Sequence, residues 1–113
     1  MGPEDLIRIR HILDAVKEAL AFSMDKFRDD LDNNRMLTLA IIKELEIIGE
    51  AASKITPEFK ASQPHIPWLD IVGMRNRLTH GYFDVDLDLV WTTLQEDLPL
   101  ILEQLEIMVV DKG

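Results

Sequence analysis

The chain has no cysteine. That excludes disulfides, thiolate metal sites and a cysteine nucleophile, and it fits a reducing compartment. Positive charge is scarce: 12 Lys+Arg stand against 21 Asp+Glu, a net charge of −9. A long-range pull toward nucleic acid is therefore absent, and any contact with RNA or DNA has to come from a local cationic patch. No apolar run approaches the ~18–20 residues of a membrane span. The opening "MGPEDLIRIR" has no signal-peptide core, and Leu6 stands where a myristoylation signal needs Ser or Thr. A cytoplasmic protein without a membrane segment is the expectation.

The five glycines are scattered, so there is no glycine-rich phosphate loop. His11, His65 and His80 lie far apart, none with a ligand-type partner four residues on, and no metal or other cofactor is expected. "DVDLD" at 84–88 lacks the loop length, the central glycine and the final glutamate of a calcium loop, and reads as a turn and helix cap. "FRDDLD" at 27–32 reads as a solvated helix end.

What remains is abundant helical periodicity. The 113 residues suit one domain, 1–113, with 47% hydrophobic and 29% charged residues. Leu6, Ile9, Leu13, Val16, Leu20 and Phe27 form one apolar stripe, predicting a first helix over about 4–31. "DNN" at 32–34 breaks it, and Asn33 or Asn34 can cap a second helix over about 35–54. Met36, Leu37, Leu39, Ile41, Ile42, Leu45, Ile47 and Ile48 make that helix apolar on more than one face. One face suits its own bundle and the other a partner chain, although a central helix inside a monomer also accounts for both.

Thr56 and Pro57 predict a short extra helical turn at 56–60, followed by a loop around Pro64 and Pro67. A third helix starts at Pro67 with Trp68, Ile71, Val72 and Leu78, and stops near His80 ahead of Gly81. A fourth starts at Asp86 with Leu87, Val90, Trp91 and Leu94 inward. Pro99 predicts a break or kink near 97–99, and the last stretch carries Leu102, Leu105 and Met108. The fold class is all-α: an up-and-down four-helix bundle with a broken C-terminal helix and the short extra turn.

Against this scaffold "RNRLTHGYFDVD" stands out. Residues 75–82 hold two arginines, an asparagine, a histidine and a tyrosine. Asn76 and His80 are four apart and share a helix face, with Arg75 beside them and Tyr82 just past the turn. Three readings fit: a helix C-terminus whose dipole is complemented by Arg77 and His80, worth about 0.3–1 kcal/mol each, a binding surface, or an active site.

The spacing Arg75-x4-His80-x-Tyr82 resembles the signature of the HEPN superfamily, and the surroundings resemble the HepT-like toxins of MNT–HepT toxin–antitoxin pairs. The features shared are "MRNRLTHGYFDVD", "IGEAASKI" on the second helix, Trp68, "VW" at 90–91 and "DLP" at 97–99, spread over nearly the whole chain. The resemblance implies a helical homodimer acting as a metal-independent endoribonuclease, with Arg and His residues meeting across a twofold axis. It implies a nucleotidyltransferase antitoxin that transfers AMP to the motif tyrosine, here Tyr82.

The residue types suit RNA cleavage by its own 2′-hydroxyl. His80 titrates near neutrality and can serve as acid or base. Arg75 offers fixed donors for phosphate oxygens, and Asn76 can orient the phosphate or the imidazole. One histidine cannot easily act on both sides at once, so two chains supply a chemical motive for the dimer. Lys43, Lys54 and Arg35 are candidates to help hold RNA, and Glu50 is a candidate to orient Arg75. The rival reading is a non-catalytic helical module that binds a minimal nucleotidyltransferase partner.

Overall fold

In the computed structural model, residues 2–78 and 84–112 are described, and among them the architecture is helical throughout. Helix α1 spans Pro3–Ser23, α2 Asp30–Asn33, α3 Arg35–Ser53 and α4 Pro57–Ser62. Helices α5 (Trp68–Val72) and α6 (Met74–Leu78) follow. Then come α7 (Leu87–Thr92), a π turn over Thr93–Asp97 and α8 (Leu98–Lys112). Helix α1 lies against α3 and α8, while α3 also carries α5 and α6 on its flank. The all-α bundle expected from the periodicity is the fold observed.

The start signals act as their chemistry demands. The Asn34 side chain accepts the Leu37 N–H at 3.0 Å, Thr56 Oγ1 accepts the Phe59 N–H at 3.2 Å, and the Asp86 carboxylate accepts the Leu89 N–H at 3.0 Å. Each satisfies a donor that the first helical turn would leave unpaired. Asp5, buried in α1, accepts both the backbone N–H (2.9 Å) and the hydroxyl (2.7 Å) of Thr56, fastening α1 to the start of α4. The Asp86 N–H donates to the Leu78 carbonyl at 2.8 Å, so the start of α7 is fastened to the end of α6.

Ile9, Ile12 and Val16 of α1 meet Ile41, Leu45 and Ile48 of α3 in the core, with Ile71, Met74 and Leu78 closing one side and Val90, Leu94, Leu98 and Leu105 the other. Burying each such side chain contributes about 1.5–3 kcal/mol. The second apolar face predicted for α3 is there too: Met36 is 79% exposed and Leu39 50%.

Two boundaries differ from the periodicity. The first helix ends at Ser23 rather than near 31. The Ser23 hydroxyl donates to the Leu20 carbonyl, and Asp25 turns into the left-handed region at φ 61°. The apolar repeat continues in phase through Phe27, yet that ring is 76% exposed, and the chain re-enters helix at α2. The third helix is two short ones, split at Gly73 (φ −86°, ψ 5°).

The interruption tied to Pro99 takes the form of the π turn just before it. The Leu98 N–H reaches back five residues to the Thr93 carbonyl. A widened turn accommodates a residue that has no donor and whose ring crowds the preceding turn.

Candidate functional site

Helix α6 is placed by a glycine on the neighbouring helix. A Cβ at Gly49 would lie 3.0 Å from the Val72 carbonyl oxygen, tighter than ordinary contact, so glycine favours the close approach of α3 to the α5–α6 break. That approach sets Arg75, two residues past the break, beside α3. The Arg75 Nε donates to Glu46 Oε1 at 2.8 Å, a charge-assisted bond on half-exposed side chains. Glu46 Oε2 is 3.7 Å from Lys43 Nζ.

Glu46, not Glu50, is therefore the carboxylate that orients Arg75. Glu50 lies one turn further along α3 and pairs with Lys54 at 3.2 Å. Spacing alone does not choose between them, because both point to the same flank of α3. The height at which α6 crosses chooses.

An open groove of about 710 Å³ runs alongside this pair. It is lined by Lys43, Glu46 and Glu50 of α3 and Lys54 at its C-terminal cap, by Arg75 and Asn76 of α6, and by Arg8 and His11 of α1. Four fixed cations there face two carboxylates, on a chain whose net charge is −9. A local cationic island is present among the described residues. Lys43 and Lys54 belong to it, while Arg35 is not among the lining residues.

Arg8 and His11 were not singled out by spacing as groove residues. The signal was present in "IRIRHI": Arg8 and His11 are three apart on one helix face.

Arg75 and Asn76 are thus brought to one groove, while His80 and Tyr82 lie outside the described residues. Arg77 turns elsewhere, its guanidinium donating to the Asp70 carbonyl at 3.3 Å. Among the described residues no group of three or more His, Asp or Glu side chains is arranged to hold a metal ion. No helix among them is long and apolar enough to cross a membrane.

A helical bundle with a basic island built around an Arg-Asn pair on a short helix is the class of protein defined so far. Comparison with known proteins places it further. The family described as "Ribonuclease HepT-like" matches residues 12–108, and the chain belongs to that family. A Methanocaldococcus jannaschii protein named "Putative RNase" is 39% identical over 97 residues, covering 86% of this chain and 89% of its own length. A Thermococcus cleftensis protein named "Probable ribonuclease HepT" is 36% identical, covering 80% of this chain and 83% of its own. A further "Putative RNase" from Caldanaerobacter subterraneus subsp. tengcongensis is 36% identical over 78 residues, 69% of this chain and 70% of its own. No solved structure matches the chain.

Proposed function

We propose that this chain is a HepT-like toxin: a metal-independent endoribonuclease that works as a homodimer and is silenced when a nucleotidyltransferase antitoxin transfers AMP to Tyr82. The observation that carries the reading is Arg75, held by Glu46 at the end of a groove with excess positive charge, in a chain that is otherwise strongly acidic. Family membership and the names of the relatives support the ribonuclease part.

In this reading the RNA 2′-oxygen attacks the adjacent phosphorus and the bond to the 5′-oxygen breaks. The products are a 2′,3′-cyclic phosphate and a free 5′-hydroxyl. One His80 takes the proton from the 2′-hydroxyl, and the His80 of a second copy gives a proton to the departing 5′-oxygen. Arg75 binds the equatorial phosphate oxygens as charge builds on them. Its Nε is engaged by Glu46, which sets the plane of the guanidinium. Asn76, exposed beside it, orients the phosphate or the imidazole.

The exposed second face of α3, with Met36 and Leu39, suits a subunit contact. Silencing follows from charge and bulk. The Tyr82 oxygen attacks the α-phosphorus of ATP, pyrophosphate leaves, and the adduct occupies the phosphate site.

The test is incubation of unmodified protein with RNA in excess chelator, beside Arg75→Ala and His80→Ala. Cleavage by the wild type alone is expected, with each variant slower by ~100-fold or more. Equal cleavage by all three would remove these residues from the chemistry. Absence of cleavage by all, with Tyr82 shown free of adenylate, would favour a module that only binds the nucleotidyltransferase. Wild type incubated with that partner and ATP should gain adenylyl mass, and Tyr82→Phe should not.

A further inference from the structure

The groove extends beyond Arg75 to a helix that the motif does not reach. Arg8 and His11 stand on α1, some 65 residues earlier in the chain, yet they line the same cavity as Arg75 and Asn76. Arg8 is half-buried. In a chain with 21 carboxylates it makes no hydrogen bond or ion pair with the described residues, whereas Arg28 engages both Asp32 and Asp88. A half-buried guanidinium facing a groove without a carboxylate partner is an anion site by its chemistry.

The other lining charges leave room for it. Glu46 is neutralised by Arg75 and Lys43, and Glu50 by Lys54. The two lysines are exposed enough, 70% and 54%, for their pairs to be weak and exchangeable.

We propose that Arg8 and His11 form a second phosphate-holding arm of the site, one that grips the single-stranded RNA backbone on one side of the bond to be cut. The inference rests on the reading that Arg75 holds the scissile phosphate. The lining also says how this arm recognises its ligand. Among the described residues that line it, His11 carries the only aromatic ring on which a base could stack, and the apolar lining is Ile47, Ala51 and Val72. Such a groove follows phosphates and does not read bases. The arm therefore adds affinity without adding sequence preference.

The experiment measures binding of a fluorescent, uniformly 2′-O-methylated oligoribonucleotide, which lacks the nucleophile and cannot be cut. Anisotropy is read for the wild type, Arg8→Gln, Arg8→Lys, His11→Gln and Arg10→Gln across a salt series. Arg10 is exposed on the same helix and outside the groove, and its variant carries the same change of net charge. Arg8→Gln is expected to weaken binding about fivefold near 0.1 M salt and to lower the slope of log K against log salt by ~0.7, one phosphate's worth on a single strand. Arg8→Lys should restore the slope, His11→Gln should show a smaller loss, and Arg10→Gln should match the wild type.

Equality of Arg8→Gln and Arg10→Gln in affinity and slope would overturn the arm, even if the wild type cuts ordinary RNA in a parallel assay. Selective loss at Arg8 would support it, even if ordinary RNA is never cut, in which case the ribonuclease reading alone would fall.

Discussion

Glu44 and Glu46 sit two residues apart on α3 and face different worlds. Glu46 looks into the groove, where it pairs with Arg75 and Lys43. Glu44 looks toward α1 and is 6% exposed, with its Oε2 buried and without a hydrogen-bond partner among the described residues. Burial first, then the charge of Glu18 and a hydrogen bond to it, push the Glu44 carboxyl up to about 7 from an ordinary value near 4.5. One helix therefore has a side where a carboxylate is paired with cations and a side where a carboxyl is best kept protonated. Residue type does not distinguish the two; the neighbours brought by tertiary packing do.

The contrast can be broken at its geometric root. Replacing Gly49 by Val places a side chain against the Val72 carbonyl and drives α3 from the α5–α6 break. We expect a loss of about 1–3 kcal/mol in stability, read as a lower midpoint in a denaturant titration. Cleavage should fall as well, because Arg75 loses its distance to Glu46. An unchanged midpoint would mean that the close approach of these helices is not needed.

A smaller effect isolates the groove side. Glu46→Gln keeps the shape but removes the charge that sets the Arg75 plane. Cleavage is expected to drop about tenfold in kcat, with KM changing little, since the group acts through Arg75 and not on substrate. Glu50→Gln, one turn away, should leave kcat near the wild-type value. Equal losses in the two variants would point to general charge and not to positioning.

The smallest effect isolates the other side. Because the folded-state value of Glu44 is raised, its stabilising contribution is fully present below about pH 4.5. It is lost as pH rises through about 7. Glu44→Gln, which mimics the protonated carboxyl, should match the wild type near pH 4.5 and be the more stable of the two at pH 8. Thermal melts at the two pH values read this directly. A variant less stable than the wild type at pH 8 would show that the carboxylate has a favourable partner.

The caps at Asn34, Thr56 and Asp86 were legible because capping is local: a side chain satisfies a donor two or three residues away. Of the motif, the placing of Arg75 and Asn76 on a short helix was legible from the periodicity, while His80 and Tyr82 lie outside the described residues. The end of α1 was not legible. Phe27 keeps the apolar period, and the reversal at Asp25 is made by a residue without glycine's usual signal. The split at Gly73 was hidden because a single glycine in a helical pattern is tolerated in many contexts. Glu46 was missed in favour of Glu50 because both satisfy the same spacing.

By itself, then, the sequence determined an all-α bundle, the faces its helices bury, most of their starting points and the residue types that could bind phosphate. Periodicity and capping are properties of a few turns of chain, and they survive without a partner. Tertiary structure alone decided which carboxylate holds Arg75, which carboxyl is pushed toward neutrality and that Arg8 and His11 share a groove with a motif encoded far from them. Those outcomes depend on how closely one helix passes another, and that distance is set by Gly49 and the packing around it.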